Sequence, residues 1–185
     1  MNLERLRLLL SSKRVGNVVV VIFLLLCVYL FGYRHVRFFR VPSGSMEPTL
    51  QPVDQLVTIA ESSYDRGDIV VLRDPAEPGA YLVKRIVGLG GDAISVQLGT
   101  LQINGEYASE PYLMEPPFYQ VVPPVSVPED QVFILGDNRN NSMDSHDEGE
   151  CFSESLIVGR AIFIYFPYDR WGAVSSYPLT NRLGE

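Results

Sequence analysis

"YLVKRIV" runs from Tyr81 to Val87. Its β-branched and aromatic residues and its two-residue alternation read as a strand. The alternation puts Lys84 on one face with Leu82 and Ile86, and Arg85 on the other. The chain holds only two lysines, Lys13 and Lys84. The other permanent side-chain cations after Val41 are arginines, which do not give up a proton at useful pH. A lysine on a buried strand face is costly while charged. Desolvation pushes its pKa down from about 10.4 and frees a neutral amine. The plain alternative is a lysine that snorkels to the sheet edge or pairs with an acid.

Outward from this strand the same texture repeats. Gln55–Ala60, Asp68–Leu72, Ala93–Val96, Gln131–Leu135 and Val158–Tyr165 are short β-branched runs separated by Gly, Pro, Asp and Asn. Leu101–Tyr107 places Asn104-Gly105 between alternating residues, a hairpin signal. Only Glu154–Ile157 suggests a helical turn. Pro111–Pro128 holds six prolines and reads as an extended surface excursion. The expected fold class is therefore mostly β.

The first forty residues differ. Val15–Tyr33, "VGNVVVVIFLLLCVYLFGY", carries no charge over 19 residues, near the roughly 20 that a bilayer-crossing helix needs. Tyr29 and Tyr33 sit near one end, where aromatic rings favour the interface. The competing reading, a cleaved signal peptide, fits less well: arginines follow the run in place of a small-residue cleavage site. The expected organisation is a short segment 1–14, a transmembrane anchor 15–33, a basic juxtamembrane segment 34–40 and a β domain 41–185. From Val41 onward 8 basic residues stand against 21 acidic ones, a poor match for nucleic-acid phosphates. Neither C-x-x-C nor paired-histidine spacing occurs, so no metal site is expected.

"VPSGSMEPTL" (Val41–Leu50) sets two serines around Gly44. Serine attacks a carbonyl only when a base takes its proton. Two bases are open: His146, the histidine remote from the apolar run, and Lys84.

Three stretches taken together carry a resemblance. "PSGSMEPTL" (Pro42–Leu50), "LVKRIVGLGGD" (Leu82–Asp92) and "GDNRNNSMDSH" (Gly136–His146) follow one another in that order. With "IVGRAIFIYFP" (Ile157–Pro167) they resemble the bacterial type I signal peptidases, or leader peptidases, over nearly the whole chain. The resemblance implies a catalytic domain of twisted antiparallel sheets behind an N-terminal anchor. It places that domain on the trans side of the membrane. It implies a serine endopeptidase that removes signal peptides from exported precursors after Ala-x-Ala-like residues, with no cofactor. Its partners would be signal peptides and the lipid bilayer.

By the same resemblance Ser45 is the nucleophile and Lys84 the base. The N–H of Ser45 and the hydroxyl of Ser43 form the oxyanion hole. Ser142 orients the amine, and Asp144 and His146 support it. Val41, Pro42, Met46, Leu50, Leu82 and Val83 line shallow pockets for small side chains; core packing is the plain reading of each. Turn capping by a hydroxyl is the plain reading of Ser43 and Ser142. One departure stands out: His146 replaces the family's usual arginine, so its link to Asp144 depends on pH.

Other readings fit less well. "GLGGD" (Gly88–Asp92) lacks the Lys-Ser/Thr pair of a phosphate loop. The acids of Gly136–Glu150 miss calcium-loop spacing. A self-cleaving repressor-type Ser–Lys protease would carry a DNA-binding domain. A non-catalytic β adaptor would not need both Ser45 and Lys84.

Overall fold

The computed structural model describes residues 13–32 and 35–179. It divides into two units, residues 1–36 and 37–185. In the first, helix α1 (Lys13–Cys27) holds fifteen residues, and Val28–Gly32 continues as a π-helical turn. Its side chains from Val18 to Leu26 are exposed.

The expected transmembrane helix, and the single-pass localisation built on it, are corrected here. No helix among the described residues is long and apolar enough to cross a membrane. An apolar composition does not fix where an α-helical ladder stops. The α-helical bonding ends at Cys27, so α1 reaches about 22 Å against the roughly 30 Å of a hydrocarbon core. Tyr33 and residues 1–12 lie outside the described residues.

The second unit is mostly β, as its alternation predicts. One sheet runs in the order β1 (Val36–Arg40), β2 (Gln55–Ile59), β11 (Ile157–Phe166), β3 (Ile69–Arg73), β4 (Tyr81–Leu89), β9 (Gln131–Leu135), β10 (Phe152–Ser153). A short β12 (Gly172–Ala173) pairs with β11. A second sheet runs β7 (Glu106–Tyr107), β6 (Thr100–Ile103), β5 (Ala93–Gln97), β8 (Val121–Ser126). Val87, Phe133 and Leu135 from the first sheet and Ile94, Val96, Leu101 and Ile103 from the second form one buried cluster. That cluster ties β4, which carries Lys84, to both sheets.

Four strands are absent from the sequence reading: β1, β8 and the two-residue β10 and β12. Val36–Arg40, expected as a juxtamembrane segment, forms β1 beside β2. Part of the expected surface excursion is β8, which pairs with β5. Pro123 and Pro124 fit there because β8 is a sheet edge, where one side of the strand needs no donor. Tyr112, in the same stretch, is buried.

β4 shows why Lys84 and Arg85 have different fates. Leu82 and Ile86 pack into one cluster, with Val70 and Ile134. Val83 packs into another. Arg85 points to Val83's side and is fully buried. There Nε and Nη2 donate to Asp137 at 2.8 and 2.6 Å, Nη1 donates to the Gly67 carbonyl at 2.6 Å, and the guanidinium lies 4.0 Å from the Tyr112 ring centre.

Removing one partner of a buried pair leaves a bare charge, at a cost of about 3–5 kcal/mol; replacing both by apolar groups is far milder. We expect Asp137→Ala to lower the unfolding free energy, measured by urea titration, by that amount. The Arg85→Met/Asp137→Leu double variant should recover most of the loss.

Candidate active site

Ser45 lies in a 3-10 turn, Gly44–Met46, that β4 and the Gly136–Ser142 segment enclose. Ser43 precedes the turn in extended conformation (φ −144°, ψ 171°) and makes no side-chain cap. Its hydroxyl instead donates to Ser45 Oγ at 3.3 Å. Turn capping is therefore not what Ser43 does. The first N–H groups of such a turn, Ser45 among them, have no acceptor within it.

Two bonds from Asn138 hold this loop. Its N–H donates to the Ser45 carbonyl at 3.0 Å and its Nδ2 to the Gly44 carbonyl at 3.1 Å. Thr49 Oγ1 donates to Asp137 at 2.6 Å, so the serine loop and Arg85 share one carboxylate. Gly136 is pinched between the two halves of the site. A Cβ there would stand 2.4 Å from the Ser45 carbonyl oxygen and 2.3 Å from Ser142 Oγ. The sequence reading gave no role to Gly136, Asp137 or Asn138, although all three stand in the motif that carried the resemblance.

Lys84 is 3% exposed. Its Nζ donates to Ser142 Oγ at 2.6 Å, and Ser142 Oγ donates to Asp144 Oδ2 at 2.5 Å. Asp144 also accepts from the Gly136 N–H at 2.8 Å and faces His146 Nδ1 at 2.7 Å. Burial holds the Lys84 ammonium below its ordinary pKa, although Asp144 and Asp147 pull the other way. Burial pushes the Asp144 carboxyl up. Hydrogen bonds from His146, Ser142 and Gly136, with the Lys84 charge, outweigh it and hold the carboxyl below its ordinary value.

Asp144 also caps a short helix, α2 (Ser145–Glu148), in a capping box with Asp147. His146 stacks on Tyr119, ring centres 3.7 Å apart. Its Nδ1 faces Asp144 and its Nε2 faces Asp147 at 3.3 Å. Both ring nitrogens are thus turned to carboxylates. Ser43, Ser45, Leu82, Lys84 and Ser142 line one open cavity of about 430 Å³, while His146 lines an adjoining one that shares Ser142 but neither Ser45 nor Lys84. Lys84 Nζ bonds Ser142 and not Ser45 in this arrangement.

The remaining expected residues divide. Val41, Met46, Leu50 and Val83 are buried together in one cluster. Pro42 is exposed beside them. Leu82 does not join them, because it points to the opposite face of β4.

Comparison with known proteins bears on this arrangement. The family model described as signal peptidase, peptidase S26, matches residues 13–166. A probable signal peptidase I-1 of Synechocystis sp. is 40% identical over 149 residues, covering 74% of this chain and 74% of its own. A probable signal peptidase I-2 of that organism is 43% identical over 145 residues, covering 73% of this chain and 65% of its own. Signal peptidase I S of Bacillus subtilis is 32% identical over 182 residues, covering 91% and 95%. A half-buried serine and a buried lysine on one cavity, within a match spanning nearly all of the β unit, leave one assignment: the chain belongs to the signal peptidase family, peptidase S26, as a serine endopeptidase acting on the signal peptides of precursor proteins.

Proposed function

We propose that the reaction runs on a Ser45–Lys84 dyad. The observation that carries this reading is the shared cavity of Ser43, Ser45, Lys84 and Ser142, from which His146 is absent. Family membership brings signal-peptide substrates and association with a membrane.

The hydroxyl of Ser142 has one proton, and it goes to Asp144. Ser142 therefore accepts an N–H from Lys84 and leaves the lone pair of a neutral amine free. Were the hydroxyl reversed, it would occupy that lone pair and disable the base. Asp144 in this way sets the direction of the amine without touching it. In the reaction the lysine nitrogen turns from Ser142 toward Ser45, a tightening common when substrate binds.

Ser45 Oγ then attacks the scissile carbonyl and its proton passes to Lys84 Nζ. The Ser45 N–H and the Ser43 hydroxyl, turned away from Ser45 Oγ, then donate to the oxyanion; one such donor contributes about 3–4 kcal/mol in comparable sites. Lys84 returns the proton to the leaving amine. It next takes one from the water that attacks the acyl-enzyme, and finally restores it to Ser45.

The substrate lies extended along β4. Val83 and Met46 are 4% and 0% exposed, so that face of β4 is packed with core side chains and leaves little depth beneath the substrate. Small residues at the first and third positions before the cut follow from that shallowness.

Ser45→Ala should lower kcat/KM on a precursor peptide by about a thousandfold or more, with the fold retained. Circular dichroism and cleavage assays check this; near-normal turnover would overturn the assignment. Lys84→Arg should be as inactive as Lys84→Ala, while His146→Arg stays active. An active Lys84→Arg beside an inactive His146→Arg would point to histidine as the base.

Activity requires the neutral amine, so kcat/KM should rise with pH through a midpoint below the ordinary lysine value of 10.5. Asp144 pulls that midpoint upward. Asp144→Asn should move the rising limb to lower pH, whatever it costs in kcat. Gly136→Ala, whose methyl has no room between Ser45 and Ser142, should cut kcat far more than KM changes.

A further inference from the structure

β4 has one edge that the sheet leaves open. β3 pairs along Tyr81–Arg85, but β9 joins the other side only from Arg85 onward. Among the described strands, Tyr81–Lys84 therefore has an unpaired edge leading to the base. A peptide added there sends successive side chains to opposite faces. On the shallow-floor reading, positions one and three before the cut take the Val83 face. Position two faces the side of Leu82.

That side is not closed. It opens into a cavity of about 200 Å³, whose walls include Leu82, Met143 and Phe152, with Asp74, Asp147 and Glu150. The cavity adjoins the catalytic one, with Leu82 and Met143 lining both. Met143 is 85% exposed, an apolar side chain with little cover of its own. A pocket with aliphatic and aromatic walls and carboxylates around them suits a side chain with an apolar stem and a cationic tip. Apolar side chains fill only the first need, and acidic ones meet repulsion.

We propose that this cavity is the subsite for the residue at position two before the scissile bond and that it selects lysine or arginine. The inference rests on the Ser45–Lys84 reading. The stem lies on Leu82 and Phe152, and the cation meets Asp74, Asp147 and Glu150. The Asp147 side chain is 45% exposed, so the attraction is screened and the selection is modest.

The test uses three peptides with alanine at positions one and three, and lysine, norleucine or glutamate at position two. The full chain should cleave the lysine peptide about fivefold better than the glutamate peptide at low salt. That ratio should shrink toward one at about 0.5 M salt. In the Asp74→Lys/Glu150→Lys double variant the ratio should invert. Rates are taken relative to the norleucine peptide, so a general loss of activity does not affect the readout. Equal cleavage of all three, or a ratio unchanged in the double variant, would overturn the subsite. Failure to cleave any of the three, or cleavage that survives Ser45→Ala, would instead overturn the dyad and this inference with it.

Discussion

The carboxylate of Asp137 is the point on which the site turns. One of its oxygens accepts a hydrogen bond from Thr49, in the serine loop, and another from Arg85, the neighbour of Lys84 in β4. The two halves of the site come from segments some forty residues apart and have no covalent reason to meet. A buried ion pair contributes little net stability compared with well-packed apolar groups. What it adds here is geometry. A bidentate guanidinium fixes the strand that carries Lys84, and the same carboxylate fixes the loop that carries Ser45. Asn138, the next residue, takes the loop's carbonyls.

Much of this was legible in the sequence where periodicity and chemistry agreed. The strand around Lys84 announced itself by alternation, and the isolation of that lysine marked it as unusual. The Asn104-Gly105 hairpin formed with both residues at positive φ, 56° and 81°. The turn at Leu98-Gly99 uses the same left-handed geometry, φ 49° and 76°. It was invisible, because leucine gives no turn signal and is 90% exposed there. β8 was hidden by its prolines, which mark loops unless the strand is an edge. The apolar run Val15–Tyr33 misled in another way: composition reports greasiness and not where a helix ends.

Within the site, the signals were unequal. Ser45, Lys84 and Ser142 are reactive types whose pairing could be anticipated. Gly136 had no chemistry to announce, and its role appears only when Ser45 and Ser142 crowd it from two sides. α2 did leave a trace, an aspartate three residues before another and a glycine at the end. In the structure Asp144 and Asp147 make the capping box, and Gly149 closes the helix at φ 66°. The cap places Asp144 where it also receives Ser142. A local helix start signal is thereby part of the chemistry.

The burial of Lys84 has a thermodynamic side. Folding lowers its pKa, so between that lowered value and 10.5 the unfolded chain holds a proton that the folded chain has released. Stability linked to this group therefore rises with pH across that window, by up to about 1.4 kcal/mol per unit. Below it both states are charged, and the fold carries the full cost of enclosing an ammonium. Arming the base is thus work done by folding, drawn from the packing of β4 and its neighbours. The protein holds less stability than its architecture would allow with an apolar residue at position 84, and that deficit is the form in which its reactivity is stored.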